Sequence, residues 1–163
     1  MGMPHKHGLL LVDDNPDDVA MIRAALERAF IDNPLYVVGD GEQAIEYLTG
    51  AGVYADRNAH PLPHVMLLDL RMPRMDGFAV LRWVRQSPEF AKLCVVVLTQ
   101  SASTSDVRAA YALGANSFLV KPTDFDDVIR LMRVFAGRWL SPAAPGSTLV
   151  DGWDASFEQR ESA

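Results

Sequence analysis

Five short runs of apolar and β-branched residues, separated by helical patterns, constrain the fold of this chain more than any other feature. They are Leu9 to Val12, Leu35 to Val38, Val65 to Leu68, Val95 to Leu98 and Ser117 to Val120. Continuous apolar runs of this length suit strands buried on both faces. The segments between them carry apolar residues at helical spacing: Val19, Ile22, Leu26 and Ala29; Ala44, Ile45 and Leu48; Phe78, Leu81 and Val84; Val107, Ala110 and Tyr111. Phe125, Val128, Ile129, Met132 and Phe135 mark a fifth helix, and Gly50, Ser87-Pro88 and Gly114 supply stops. Parallel strands need crossover connections, which are nearly always right-handed. The alternation therefore predicts an α/β domain, a doubly wound five-stranded parallel sheet with helices on both faces. In such sheets ligands bind beyond the carboxyl ends of the strands, where the strand order reverses.

Composition narrows what can happen there. A chain of 163 residues with 49% hydrophobic and 22% charged residues fits one globular domain with a tail. Its net charge of -6 offers no basic footprint for nucleic acid or an anionic membrane. No apolar run approaches the roughly 18 residues of a membrane span, and "MGMPHKHG", residues 1–8, lacks the apolar middle of a secretory signal and reads as a flexible end. The single Cys94 lies in an apolar run and reads as inert core, which suits a reducing, cytoplasmic setting. His5 and His7 have no Cys or carboxylate companions, and Pro61 and Pro63 prevent His60 and His64 from sharing a helix face, so no zinc site is expected.

The strand ends carry the chemistry. The first run ends in Asp13 and Asp14, the third in Asp69, the fourth in Thr99 and the fifth in Lys121. No glycine-rich phosphate loop accompanies them. Clustered carboxylates suit a hard cation such as Mg²⁺ or Mn²⁺. With a cation to offset charge, Asp69 can act as a nucleophile toward a phosphoryl group, and Thr99 and Lys121 can bind its oxygens. Taken singly, a strand-end Asp or Thr often caps a helix; the joint placement argues for a site. In "LLLVDDNPDD" the second acidic pair reads differently. Asn15 is an N-cap, Pro16 the first helical residue, and Asp17 and Asp18 meet the positive helix end. Asp76-Gly77 reads as a turn that starts the third helix.

The motifs "VDD", "LLDLRMPRMDG", "LTQS" and "VKP" resemble those of response-regulator receiver domains of two-component signalling, over about residues 9–137. The resemblance implies a (βα)5 flavodoxin-like receiver fold in which a partner histidine kinase phosphorylates Asp69. It implies that Asp13, Asp14, Asp69 and the Arg71 backbone carbonyl hold Mg²⁺. It also implies that Thr99 and Lys121 engage the phosphoryl group, and that Phe118 stands at the aromatic switch position. Phosphorylation would draw Thr99 inward, admit Phe118, and change the surface of the fourth helix, fifth strand and fifth helix. Three residues depart from common patterns. Arg71 replaces a frequent Asn, Gln100 is bulkier than the usual small residue, and Phe118 lacks the hydroxyl of Tyr. Arg71 and Gln100 are thus expected to modulate access to Asp69.

Between the second helix and third strand, "GAGVYADRNAHPLPHV" exceeds the usual connection of about 2–6 residues. With no output domain following, the chain is similar to small stand-alone regulators that partner bacterial phytochrome kinases. The fifth helix is unusually apolar, and residues 138–163 retain tryptophans that a solvated tail rarely spends. Leu131, Val134, Phe135, Trp139, Leu140 and Trp153 are therefore expected at a homodimer interface, with the tail as an arm. The competing function is a Mg²⁺-dependent phosphohydrolase that forms an aspartyl phosphate. Such enzymes need a second acid two residues after the nucleophile, where this chain has Arg71. A receiver-shaped scaffold that is never phosphorylated sits poorly with the full acid, Thr and Lys set.

Overall fold

A computed structural model describes residues 6–100 and 103–141. Expectations for His5, Trp153 and the tail beyond Ser141 lie outside the described residues. The strands are β1 Leu9–Val12, β2 Leu35–Val38, β3 Val65–Leu68, β4 Cys94–Thr99 and β5 Ser117–Val120. The helices are α1 Pro16–Arg28, α2 Gly41–Thr49, α3 Gly77–Gln86, α4 Thr104–Ala112 and α5 Phe125–Phe135. All pairings are parallel, in the order β2-β1-β3-β4-β5. Four strands match the expected limits, and β4 gains Cys94 and Thr99.

Alternation along each strand divides the core in two. Leu9 and Leu11 join Ile22, Leu26, Val128 and Met132, so α1 and α5 cover one face. Leu10 and Val12 join Ala44, Leu48, Val80 and Val84, so α2 and α3 cover the other. β2 is an edge strand and only Val38 in it is fully buried, which differs from the expectation of burial on both faces. Cys94 is buried as expected, and burial pushes its thiol up to about 12. The strand order reverses between β1 and β3, so Asp13 and Asp69 follow the two strands that flank the switch point.

The long α2–β3 connection is a folded cap. Gly50 takes a left-handed φ of 73° to end α2. Arg57 then donates to the carbonyls of Tyr47 at 2.7 Å, Leu48 at 2.6 Å and His60 at 3.1 Å. The Tyr47 and Leu48 carbonyls lie in the last turn of α2, where helical N–H donors run out, and a guanidinium satisfies them well. Tyr47 OH donates to the Pro61 carbonyl at 2.8 Å and anchors the other end. Arg57→Ala is expected to lower the melting temperature by on the order of 5 °C, read by thermal unfolding.

His64 closes the same connection. Its Nδ1 accepts from the Gly8 N–H at 3.1 Å, and its ring stacks on His7 at 4.1 Å. Burial, then the neighbouring His7, holds its pKa below the usual value. A base depressed on folding contributes stability that is complete above the unfolded value of about 6.5 and is lost as pH falls through the folded one. The melting temperature should therefore drop as pH falls from 7 toward 5.5, and His64→Gln should flatten that slope.

The C-terminal end corrects two expectations. A single π-helical turn, Ala136–Leu140, extends α5, so packing continues to Leu140 instead of stopping at Gly137. Leu131, Phe135 and Leu140 are all buried in the chain's own core against α1 and the sheet, and are not available to a partner. The apolar stripe of α5 is wide because the helix fills the angle between α1 and the sheet. Val134 is 42% exposed, and Trp139 packs part-buried against the same core.

Candidate functional site

The site gathers at the carboxyl ends of β1, β3, β4 and β5, because in-register parallel strands end at a common level. Asp13 follows β1, and its N–H donates to the Val38 carbonyl at 3.1 Å. Asp69 follows β3, and its N–H donates to the Val12 carbonyl at 3.0 Å. Thr99 is the last residue of β4, buried, and its carbonyl accepts from the Lys121 N–H at 2.8 Å. Each residue is thus held by the backbone ladder that ends beneath it.

Asp13, Asp14 and Asp69 each place a carboxylate oxygen within 4.8 Å of the others. Asp13 and Asp69 are buried and Asp14 is exposed, so the cluster opens to solvent on one side. Asp13 Oδ1 accepts from the Asn15 N–H at 2.9 Å, and Asp69 Oδ1 from the Arg71 N–H at 3.2 Å. Their other oxygens face Lys121, whose Nζ donates to Asp13 Oδ2 at 2.6 Å and Asp69 Oδ2 at 3.2 Å. The three acids fit a divalent cation: the donors are hard oxygens, two are anchored, and one is open to water.

Opposing forces act on the charged pair. Burial alone would lower the Lys121 pKa, but hydrogen bonds to Asp13 and Asp18 and the charges of Asp13 and Asp69 outweigh it, so the ammonium is raised and stays protonated. Burial pushes the Asp13 carboxyl up, further than Lys121 and the Asn15 N–H bring it back down.

Sequence reasoning missed one member. Asp18, assigned above only to the helix start, sends Oδ2 to Lys121 Nζ at 2.9 Å and to Gln100 Nε2 at 3.3 Å. Its backbone still plays the expected part, because Asn15 Oδ1 accepts from the N–H groups of Asp17 at 2.9 Å and Asp18 at 3.4 Å. A cleft of about 330 Å³ opens above Asp69 between Asp14, Asp18, Arg71, Thr99 and Gln100. Gln100 lies at this mouth. The Arg71 head turns to α4, pairing with Asp106 at 2.6 Å with its guanidinium 5.9 Å from the Phe78 ring centroid. Phe118 is buried in β5 with Leu70, Val97 and Ala110.

Asp76 caps α3 by accepting from the Ala79 N–H at 3.0 Å. Gly77 follows because nothing larger fits: a Cβ there would lie 2.3 Å from the Asp69 carbonyl oxygen and 2.8 Å from Leu70 Cα.

A family model for the response regulator receiver domain matches residues 9–133. The chain belongs to this family. It is 34% identical to response regulator Rcp1 of Synechocystis sp. over 81% of this chain and 88% of Rcp1. The phosphorylated cyanobacterial phytochrome response regulator RcpA is 31% identical, with a TM-score of 0.77 over 86% of this chain and 97% of its own. The Mn²⁺-bound form of response regulator Rcp1 is 33% identical, with a TM-score of 0.74 over 84% of this chain and 96% of its own. Receiver domains are signalling proteins rather than classical enzymes, and aspartate phosphorylation with a divalent cation is typical of them. Among the described residues, no helix of this receiver is long and apolar enough to cross a membrane.

Proposed function

We propose that Asp69 is the phosphoacceptor of this receiver and takes its phosphoryl group from a histidine kinase. The observation that carries this reading is the convergence of Asp13, Asp14, Asp69 and the Lys121 ammonium at the reversal of strand order. In the transfer, an Asp69 oxygen forms the new P–O bond as the P–N bond to the kinase histidine breaks. The electron pair leaves on the imidazole nitrogen, which takes a proton. Lys121, already hydrogen-bonded to Asp69, shifts to the arriving phosphoryl oxygens, with Thr99 beside it. Asp13, Asp14, Asp69 and the Arg71 carbonyl would hold Mg²⁺, which offsets the charge of the transferring group. Arg71 stands where a phosphohydrolase needs its second acid, so the competing enzymatic reading has no general acid here.

Acetyl phosphate tests this directly. With Mg²⁺ the chain should gain one phosphoryl group by intact mass and with EDTA none, while turning over no other phosphate esters. Multiple turnover of diverse esters would favour the phosphohydrolase.

The likeness to phytochrome regulators supports a bacteriophytochrome as the kinase. A homodimer has narrower support than the sequence implied: exposed Val134 and part-buried Trp139 remain of the α5 candidates. We place the interface there, with residues 142–163 as the arm. Truncation must fall after Ser141, because a cut at Gly137 removes Leu140 from the core. The shortened chain should scatter light as a monomer where the full chain is a dimer, and unchanged mass removes the arm's role.

A further inference from the structure

The contact of Asp18 with Lys121 and Gln100 has no place in the scheme above, yet it ties the first turn of α1 to the ends of β4 and β5. We propose that Asp18 is a positioning residue that keeps the Lys121 ammonium over Asp69 while a divalent cation occupies the carboxylate cluster. The proposal rests on the reading of Asp69 as phosphoacceptor.

A lysine ammonium has three N–H groups, and Lys121 aims them at Asp13, Asp18 and Asp69, at 2.6, 2.9 and 3.2 Å. Two of those acceptors, Asp13 and Asp69, also belong to the cluster whose oxygens lie within 4.8 Å of one another. A doubly charged ion held among them would compete with Lys121 for the same two carboxylates and repel a neighbouring ammonium. Asp18 is not a member of that cluster, so its hold on Lys121 survives metal binding.

Asp18 is also built to stay in place. Its N–H is capped by Asn15, and Pro16 fixes the first helical residue, so the carboxylate projects from a rigid turn. Gln100 Nε2 steadies the same oxygen. The side chain is 17% exposed against 1% for Asp13 and lines the cleft. A lysine released from such a cleft would drift into water, because its long stem carries high rotamer entropy. The phosphoryl group needs that ammonium already poised when it arrives.

Two readouts on the full chain test this. In Mg²⁺-saturated protein, the Lys121 ammonium protons should remain visible by nitrogen-edited NMR, because a bonded ammonium exchanges slowly. The signal should vanish in Asp18→Asn and return in Asp18→Glu. A signal that persists in Asp18→Asn overturns the proposal. The second readout is a double-mutant cycle on the rate of phosphorylation by acetyl phosphate in saturating Mg²⁺. Asp18→Asn should slow the reaction by on the order of tenfold when Lys121 is present and leave it unchanged in a Lys121→Ala background. Equal slowing in both backgrounds, or none in either, overturns the proposal. If wild type accepts no phosphoryl group, or Asp69→Asn accepts as much, the phosphoacceptor reading fails instead, and the ammonium signal still decides the role of Asp18.

Discussion

Lys121→Ala is expected to destabilise the chain by about 3–5 kcal/mol in EDTA and by much less in saturating Mg²⁺. The Lys121 side chain is 9% exposed and is the cation shared by Asp13, Asp18 and Asp69, of which Asp13 and Asp69 are buried. Removing it leaves carboxylates facing one another, and at an effective dielectric of about 20 two such charges about 4 Å apart repel by roughly 4 kcal/mol. Partial protonation of the buried Asp13 relieves some of this cost but not all. A divalent cation supplies the missing charge, so the variant should gain more stability from Mg²⁺ than wild type gains. Urea unfolding of both proteins, with EDTA and with Mg²⁺, reads the difference. A loss of the same size in both conditions would mean that Lys121 contributes through packing alone.

Gly77→Ala should be nearly as damaging by a different route. The new Cβ would meet the Asp69 carbonyl oxygen at 2.3 Å and Leu70 Cα at 2.8 Å, both backbone atoms at the end of β3. No rotamer change relieves a backbone clash, so α3 or the Asp69 segment must move. The expected cost is on the order of 3 kcal/mol, with a fall in phosphorylation by acetyl phosphate in the protein that still folds. Gly137→Ala is the control, since a Cβ there meets nothing within 4 Å. Its melting temperature and phosphorylation should stay close to wild type. If Gly77→Ala behaves like that control, the tight contact beneath Asp69 has no mechanical importance.

Some of this arrangement was legible in the chain and some was not, for identifiable reasons. β1 and β3 announce themselves because strands buried between two helical layers must be apolar throughout, β5 shows through its apolar Phe118 to Val120, and their ends then locate Asp13, Asp69 and Lys121. Asp18 was not legible as a site residue. Its local role at the helix start fully accounts for an acid there, and its second role exists only because the end of β5 meets α1 across the sheet. Arg57 escaped for the same reason, since helix-end carbonyls attract any nearby cation and sequence does not show which one arrives. Leu131, Phe135 and Leu140 read as interface residues because α5 is more apolar than one buried stripe requires, and the sequence does not show that two elements cover it. α5 packs against both α1 and the sheet, and Leu140 at the end of its π turn is buried in the same core.

We propose that one carboxylate in the acidic cluster, Asp69, accepts the phosphoryl group. The most direct test is to treat the Mg²⁺-loaded chain with acetyl phosphate, reduce the acyl phosphate with borohydride, and map the modified residue by peptide mass. Reduction converts a phosphorylated aspartate to homoserine, so the account predicts homoserine at position 69 in wild type and none in Asp69→Asn. Homoserine at Asp13, Asp14 or Asp18, or an adduct that survives in Asp69→Asn, would contradict it.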